Sequence, residues 1–218
     1  MEIFWIIFYT ILAYLIGGVP SAFWLGKLYY GIDIRDHGNG SVSHLNVELI
    51  LGKKASWLVR LTDVTKGVLA ARLSFPLTHQ IEWLSGSEAY ILTLTLGLAA
   101  MLGHIFPLLA GFKGGQGYYV AIGVLLAAHP AMSFMFLGIT LLVYSFTNLP
   151  YLAYVIGAIS LPLFVLFTRA SWDDKFLPML VFGLVIFSLL LITHLQNLKD
   201  INFKTVTARW HGSPFRRH

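Results

Sequence analysis

Long apolar blocks broken by short polar loops dominate the chain, with none of the strict apolar/polar alternation of half-buried strands. A spanning helix needs roughly 17–25 mostly apolar residues. On that measure spans are predicted near 3–26, 57–78, 89–110, 116–129, 132–148, 151–168 and 176–194. The fourth is short and follows a glycine-rich turn, so it is expected to be buried among its neighbours, where irregular backbone is tolerated. The second carries Arg60, Asp63, Lys66 and Arg72. Charges inside a span face a partner or a polar cavity, and Asp63 and Lys66, spaced i, i+3, can pair on one face. The expectation is an all-α membrane protein of seven transmembrane helices: one domain over 1–198, then a basic tail over 199–218.

Composition supports that class. Hydrophobic residues make up 57% of the 218 positions and charged residues 11%, against about 25% charged in soluble chains. Mean hydropathy is +0.73. The absence of cysteine excludes disulfides, thiolate metal sites and cysteine nucleophiles. The net charge of +5 suggests loops facing an anionic lipid surface rather than nucleic acid, because no basic run accompanies a soluble reading platform. Of the fifteen Lys and Arg residues, all but Arg72, Arg169 and Lys175 fall on the side of the C-terminus when seven spans are drawn. The positive-inside rule then places the N-terminus outside and the C-terminus in the cytoplasm. The opening Met1-Glu2-Ile3-Phe4-Trp5 lacks the basic start of a signal peptide, so the first apolar stretch is expected to be a retained span. All six tryptophans fall near predicted span ends, as an interfacial belt requires.

Polar clusters gather on the predicted cytoplasmic face. The loop Ile32 to Asn46 is rich in Gly, Ser and Asn and has the makings of an anion-holding nest of N–H groups, or simply of a flexible surface loop. Gly103-His104-Ile105-Phe106-Pro107, then Phe112-Lys113-Gly114-Gly115-Gln116-Gly117, places a cation beside a glycine turn that opens a helix. A bare interhelical turn fits as well, and the spacing is not that of a P-loop. At the end of the last span His194 and Asn197 share a helix face. A helix terminus capped by an interfacial histidine explains them equally.

In order and together, these clusters resemble the bacterial acyl-phosphate:glycerol-3-phosphate acyltransferase family of the inner membrane. Gly17-Gly18-Val19-Pro20-Ser21-Ala22-Phe23 resembles the end of its first helix, and Asp63-Val64-Thr65-Lys66-Gly67 its second-helix entry. The Gly103 and Phe112 segments and the terminal HxxN complete the series. The resemblance implies acyl transfer from acyl phosphate to glycerol 3-phosphate in phospholipid synthesis, with no metal or organic cofactor. It implies catalytic roles for His194 and Asn197. Substrate binding would fall to Arg35, Gly38, Gly40, Asn46, His104, Lys113, Gly114 and Gly115. Membrane lipid, acyl phosphate and glycerol 3-phosphate are the partners it implies.

The chain also departs from the family pattern. Gly38 to Asn46 keeps only the flanks of GSGNxGATN; Gln116 replaces the second lysine of FKGGKG. Asn148, Tyr151 and Tyr154 stand where TRYxSLxS has an arginine and two serines. An alternative follows: a catalytically inactive paralogue serving as a structural subunit among membrane protein partners, with Tyr118, Tyr119, Tyr151 and Tyr154 as outward contact residues.

Overall fold

The structure is a computed structural model that describes residues 1–168 and 174–199, with the side chains of Gln196, Asn197 and Lys199 outside the described set. The expected tail after Lys199 therefore lies outside the described residues, as do Trp172 and Trp210. Ten helices are described: α1 (Glu2–Gly17), α2 (Ser21–Tyr30), α3 (His44–Leu51), α4 (Lys53–Arg72), α5 (Ser74–Gln80), α6 (Gly86–Ile105), α7 (Tyr118–Ala128), α8 (Pro130–Thr147), α9 (Pro150–Thr168) and α10 (Phe176–Lys199). The regular structure of the described residues is all helical. Helices α6, α8, α9 and α10 are each long and apolar enough to cross a bilayer, and α1 with α2 makes a fifth candidate as a bent pair.

The first predicted span is not continuous. It bends by 46° between α1 and α2. Pro20 has no N–H to extend the ladder, and Gly18 and Val19 precede it. At the break the Val19 carbonyl accepts both the Ser21 N–H and Lys66 Nζ, each at 3.0 Å. Ser21, the first residue of α2, donates to Asp63 Oδ1 at 2.7 Å. The bend is thus held by a charge pair on another helix. The second predicted span is likewise divided, with α5 set off from α4 after Leu73.

Helix α7 is short, as expected, and sits at the centre against α4, α6 and α8. Glycine sets its distance from α4. A Cβ on Gly67 would strike the Val120 carbonyl, and one on Gly123 would strike the Val64 carbonyl. Backbones that close leave little separation for larger residues, and apolar burial then follows around Val120, Val124 and Leu125. Helices α1 and α6 meet in the same way, with Gly17 against Ala100 and Gly103 against Tyr14. Trp5, Trp24, Trp57 and Trp83 are all exposed on the surface, where an interfacial belt would put them.

Candidate functional site

The loop before α3 is built around one side chain. Asn46 is buried, and its Nδ2 donates to the carbonyls of Ile34, His37 and Ser41 at 3.2, 3.0 and 2.9 Å. Its Oδ1 accepts the Asn39 N–H at 3.0 Å. Gly38 has φ +62°, and a Cβ there would collide with Asn46 Oδ1. The loop is therefore an organised turn, not the flexible one that composition allowed. Asn46 shapes the turn rather than presenting its amide outward. Gly40, with φ +72°, lies at the surface of the same turn.

Arg35 is fixed from the loop's start. Its Nη2 lies 2.7 Å from Asp33 Oδ2, its Nε donates to Asp33 Oδ1 at 3.0 Å, and its guanidinium covers the Phe23 ring at 4.7 Å. The Arg35 hydrogen bond holds the Asp33 carboxyl at a pKa of about 2, and Asp33 raises that of Arg35 in return. Lys113 comes to the same place from the turn after α6. Arg35, Gly40, Ser41, Lys113 and Gly114 line one recess of about 490 Å³, together with Asp33, Asp36 and Val42. Asp33 neutralises much of the Arg35 charge and Asp36 lies on the same wall, so Lys113 and the glycine backbone are what the recess offers a small oxyanion.

Through Val42, Gly114 and Gly115 the recess continues toward His104 and Asp63. The Gly115 N–H donates to the His104 carbonyl at 3.0 Å. A Cβ at Gly114 would meet that carbonyl, and one at Gly115 would meet the His104 imidazole. The glycine turn is thus folded directly onto His104. His104 Nδ1 lies 3.8 Å from Asp63 Oδ1, which is paired with Lys66 Nζ at 2.8 Å. The Asp63–Lys66 pairing expected from spacing is present, and it joins α2, α4 and α6 under the turn.

His194 is fully buried. Its Nδ1 lies 2.7 Å from the Leu190 carbonyl, an acceptor only, so Nδ1 carries the proton and Nε2 keeps a lone pair. Nε2 has no hydrogen-bond partner. Thr193 Oγ1 donates to the Gln116 carbonyl at 3.1 Å, which ties α10 to the end of the glycine turn. The rings of Tyr154 and Tyr151 lie 5.5 and 5.7 Å from His194. Tyr154 Oη in turn lies 2.9 Å from His44 Nε2. Tyr154 therefore stands between His194 and the recess wall at His44. The Asn197 side chain falls outside the described residues.

Arg35, Gly40, Lys113 and Gly114 are thus brought together, and Gly115 and His104 adjoin them. Gly38 and Asn46 lie beneath as supports, and His194 lies behind Tyr154. The four tyrosines expected to face outward do not form a contact surface: Tyr118 and Tyr154 are buried and Tyr119 and Tyr151 half-buried. Arg60, one of the charges of the second predicted span, is bridged to Glu48 of α3 through Arg60 Nη2 and Glu48 Oε2, a partner that helix spacing alone does not indicate. A pair of opposite charges flanking the Gly52 turn was the available signal. Among the described residues, no three or more His, Asp or Glu side chains group as a metal site.

The arrangement is that of a helical membrane protein with a cation-flanked, glycine-walled recess. Residues 7–204 match the family model described as glycerol-3-phosphate acyltransferase, and the chain belongs to that family. A glycerol-3-phosphate acyltransferase of Chlorobaculum tepidum is 32% identical over 210 residues, covering 88% of this chain and 90% of the relative. One from Streptococcus pneumoniae is 35% identical over 204 residues, covering 89% of each. The crystal structure of PlsY (YgiH), an integral membrane glycerol 3-phosphate acyltransferase in its glycerol 3-phosphate form, superposes with a TM-score of 0.75 at 29% identity. That match covers 98% of this chain and 96% of the other. The lysophosphatidic acid form gives 0.73 at 27% identity, covering 97% and 94%.

Proposed function

We propose that the protein transfers an acyl group from acyl phosphate to the hydroxyl of glycerol 3-phosphate, releasing lysophosphatidate and inorganic phosphate, in the bacterial inner membrane. The observation that carries this reading is the meeting of Arg35 and Lys113 on one glycine-walled recess. Acyl phosphate is already activated, so positioning and charge stabilisation supply most of what the reaction needs. Lys113 holds a phosphate beside the Asp33-paired Arg35, and Gly40 and Gly114 let it approach the backbone. The acceptor hydroxyl attacks the acyl carbonyl, the bond to phosphate breaks, and the hydroxyl proton passes to His194 Nε2. Asn197, three residues on, orients the same substrate. For His194 to take that proton the Tyr154 ring must swing aside, which makes Tyr154 the brake on turnover. Seven spans, with α1–α2 and α4–α5 each counted as one, put the N-terminus outside and the recess at the cytoplasmic face.

The test is mass-spectrometric detection of lysophosphatidate from purified protein given acyl phosphate and glycerol 3-phosphate. Turnover is expected, and Lys113→Met removes a charge-assisted contact of about 1.5–3 kcal/mol, raising KM about tenfold or more. Silence in the unmodified chain and in a combined Gln116→Lys, Asn148→Arg, Tyr151→Ser and Tyr154→Ser variant would overturn the reading. Co-purification with stoichiometric membrane partners in that event would point to the structural subunit instead.

A further inference from the structure

The glycine turn after α6 runs on to Gln116, which lines a small chamber with His44, Asp63, His104 and Gly115. The chamber measures about 10 Å³ and shares Val42 with the recess that Lys113 lines. A space of that size holds roughly one water-sized group, so it suits a hydroxyl and not a phosphate. The recess of about 490 Å³ has room for the phosphate. Gln116 Oε1 is buried and has no hydrogen-bond partner. His194 Nε2 is another such atom, and it too is an acceptor, since Nδ1 carries the proton. Helix α10 brings the two residues together: Thr193 Oγ1 donates to the Gln116 carbonyl at 3.1 Å and lies 3.1 Å from His194 Nδ1. Tyr151 borders both, with its hydroxyl beside the Gln116 side chain and its ring 5.7 Å from His194. Leaving a buried acceptor unpaired is costly, and two in one cluster fit a partner that carries two O–H groups.

We propose that Gln116 is a specificity-determining residue that reads the second, non-reacting hydroxyl of the acceptor, so that the site selects phosphate-bearing vicinal diols. This assignment rests on the acyl-transfer reading, in which the first hydroxyl gives its proton to His194 Nε2. Size and charge set the orientation, with the phosphate on Lys113 in the recess and the diol end inward. Lys113 and Gln116 are three residues apart on one turn, at most about 10 Å along the backbone, a distance that a three-carbon phosphate and two side chains bridge. A lysine in place of Gln116, as in the family pattern, would only donate and would draw the phosphate inward. The neutral amide takes a hydroxyl by donating or accepting and leaves the phosphate to Lys113. A site built on such a hydrogen bond rejects an analogue that lacks the hydroxyl, because its own polar group is then left unpaired.

The experiment titrates glycerol 3-phosphate and 3-hydroxypropyl phosphate, which lacks the middle hydroxyl, into the purified full chain by isothermal titration calorimetry. It then measures kcat/KM for both with acyl phosphate as donor. Glycerol 3-phosphate is expected to be favoured by about tenfold or more in affinity and in kcat/KM. Gln116→Met keeps the side chain's length without its amide and should shrink both ratios below about threefold, chiefly by weakening glycerol 3-phosphate. Lys113→Met should weaken both ligands and leave the ratio standing. Equal affinity for the two ligands in the unmodified chain would overturn the proposal without recourse to any variant, as would a ratio that survives Gln116→Met. Discrimination in binding without turnover would sink the acyl-transfer reading and uphold the hydroxyl assignment; turnover without discrimination would do the reverse.

Discussion

The Tyr154 hydroxyl lies 2.9 Å from His44 Nε2, joining α9 to the first residue of α3. Both residues are buried, and the Tyr154 hydroxyl is the hydrogen-bond partner of His44 Nε2. The Tyr118 ring stacks on Tyr154 at 4.1 Å and extends the contact into α7. Where the family pattern carries a serine, this chain therefore has a strut between two parts of the bundle.

Tyr154→Phe keeps the ring and removes the hydroxyl, leaving His44 Nε2 buried and unpaired. Stability is expected to fall by about 1–3 kcal/mol, read as a lower melting temperature in detergent. An unchanged melting point would mean that water replaces the hydroxyl.

His44 also sets a pH dependence. Burial, and after it the charge of Arg60, pushes its pKa down from 6.5 to about 3. The folded state holds it neutral, while the unfolded chain takes a proton below about 6.5. Its contribution is present above that value and is lost as pH falls from 6.5 toward 3. Between pH 7.5 and 5.5 the loss is about 1 kcal/mol. Denaturation of His44→Gln at the two pH values should show a smaller difference than the unmodified chain by that amount.

The α4–α7 crossing predicts a sharp contrast among glycines. Gly123→Leu forces α7 away from the Val64 backbone and is expected to abolish the folded protein in a protease-resistance assay. Gly138 on α8 has open space around it, so Gly138→Ala should be neutral or stabilising by up to about 1 kcal/mol.

Topology is open to direct measurement, because the chain has no cysteine to interfere. Single cysteines at Ser85 and Ser213 should label from opposite sides of the membrane, Ser85 from outside. Labelling from the same side would refute seven spans.

Apolar blocks, read against bilayer thickness, already located the long helices α6, α8, α9 and α10, because a span's composition answers to lipid whatever its neighbours are. The Asp63–Lys66 pair was equally legible, since i, i+3 spacing fixes a shared helix face without tertiary information. The candidate cluster of Arg35, Gly40, Lys113 and Gly114 was legible as a set of polar motifs. Its convergence needed the packing of α2 and α6 around α4. Three features were decided by tertiary structure alone. The angle at Pro20 is held by α4, where Lys66 donates to the Val19 carbonyl and Asp63 accepts from Ser21, and no local pattern encodes those partners. Asn46 reads as a ligand group in sequence, yet its amide closes a turn, because three carbonyls converge on it only when Gly38 and Gly40 adopt positive φ. Tyr154 looked like an outward aromatic; burial against Tyr118, His44 and His194 comes from α3, α7 and α10 closing around it. Local spacing specifies which residues share a helix face, but which faces meet is settled by how closely backbones approach, and here Gly67 and Gly123 settle it for α4 and α7.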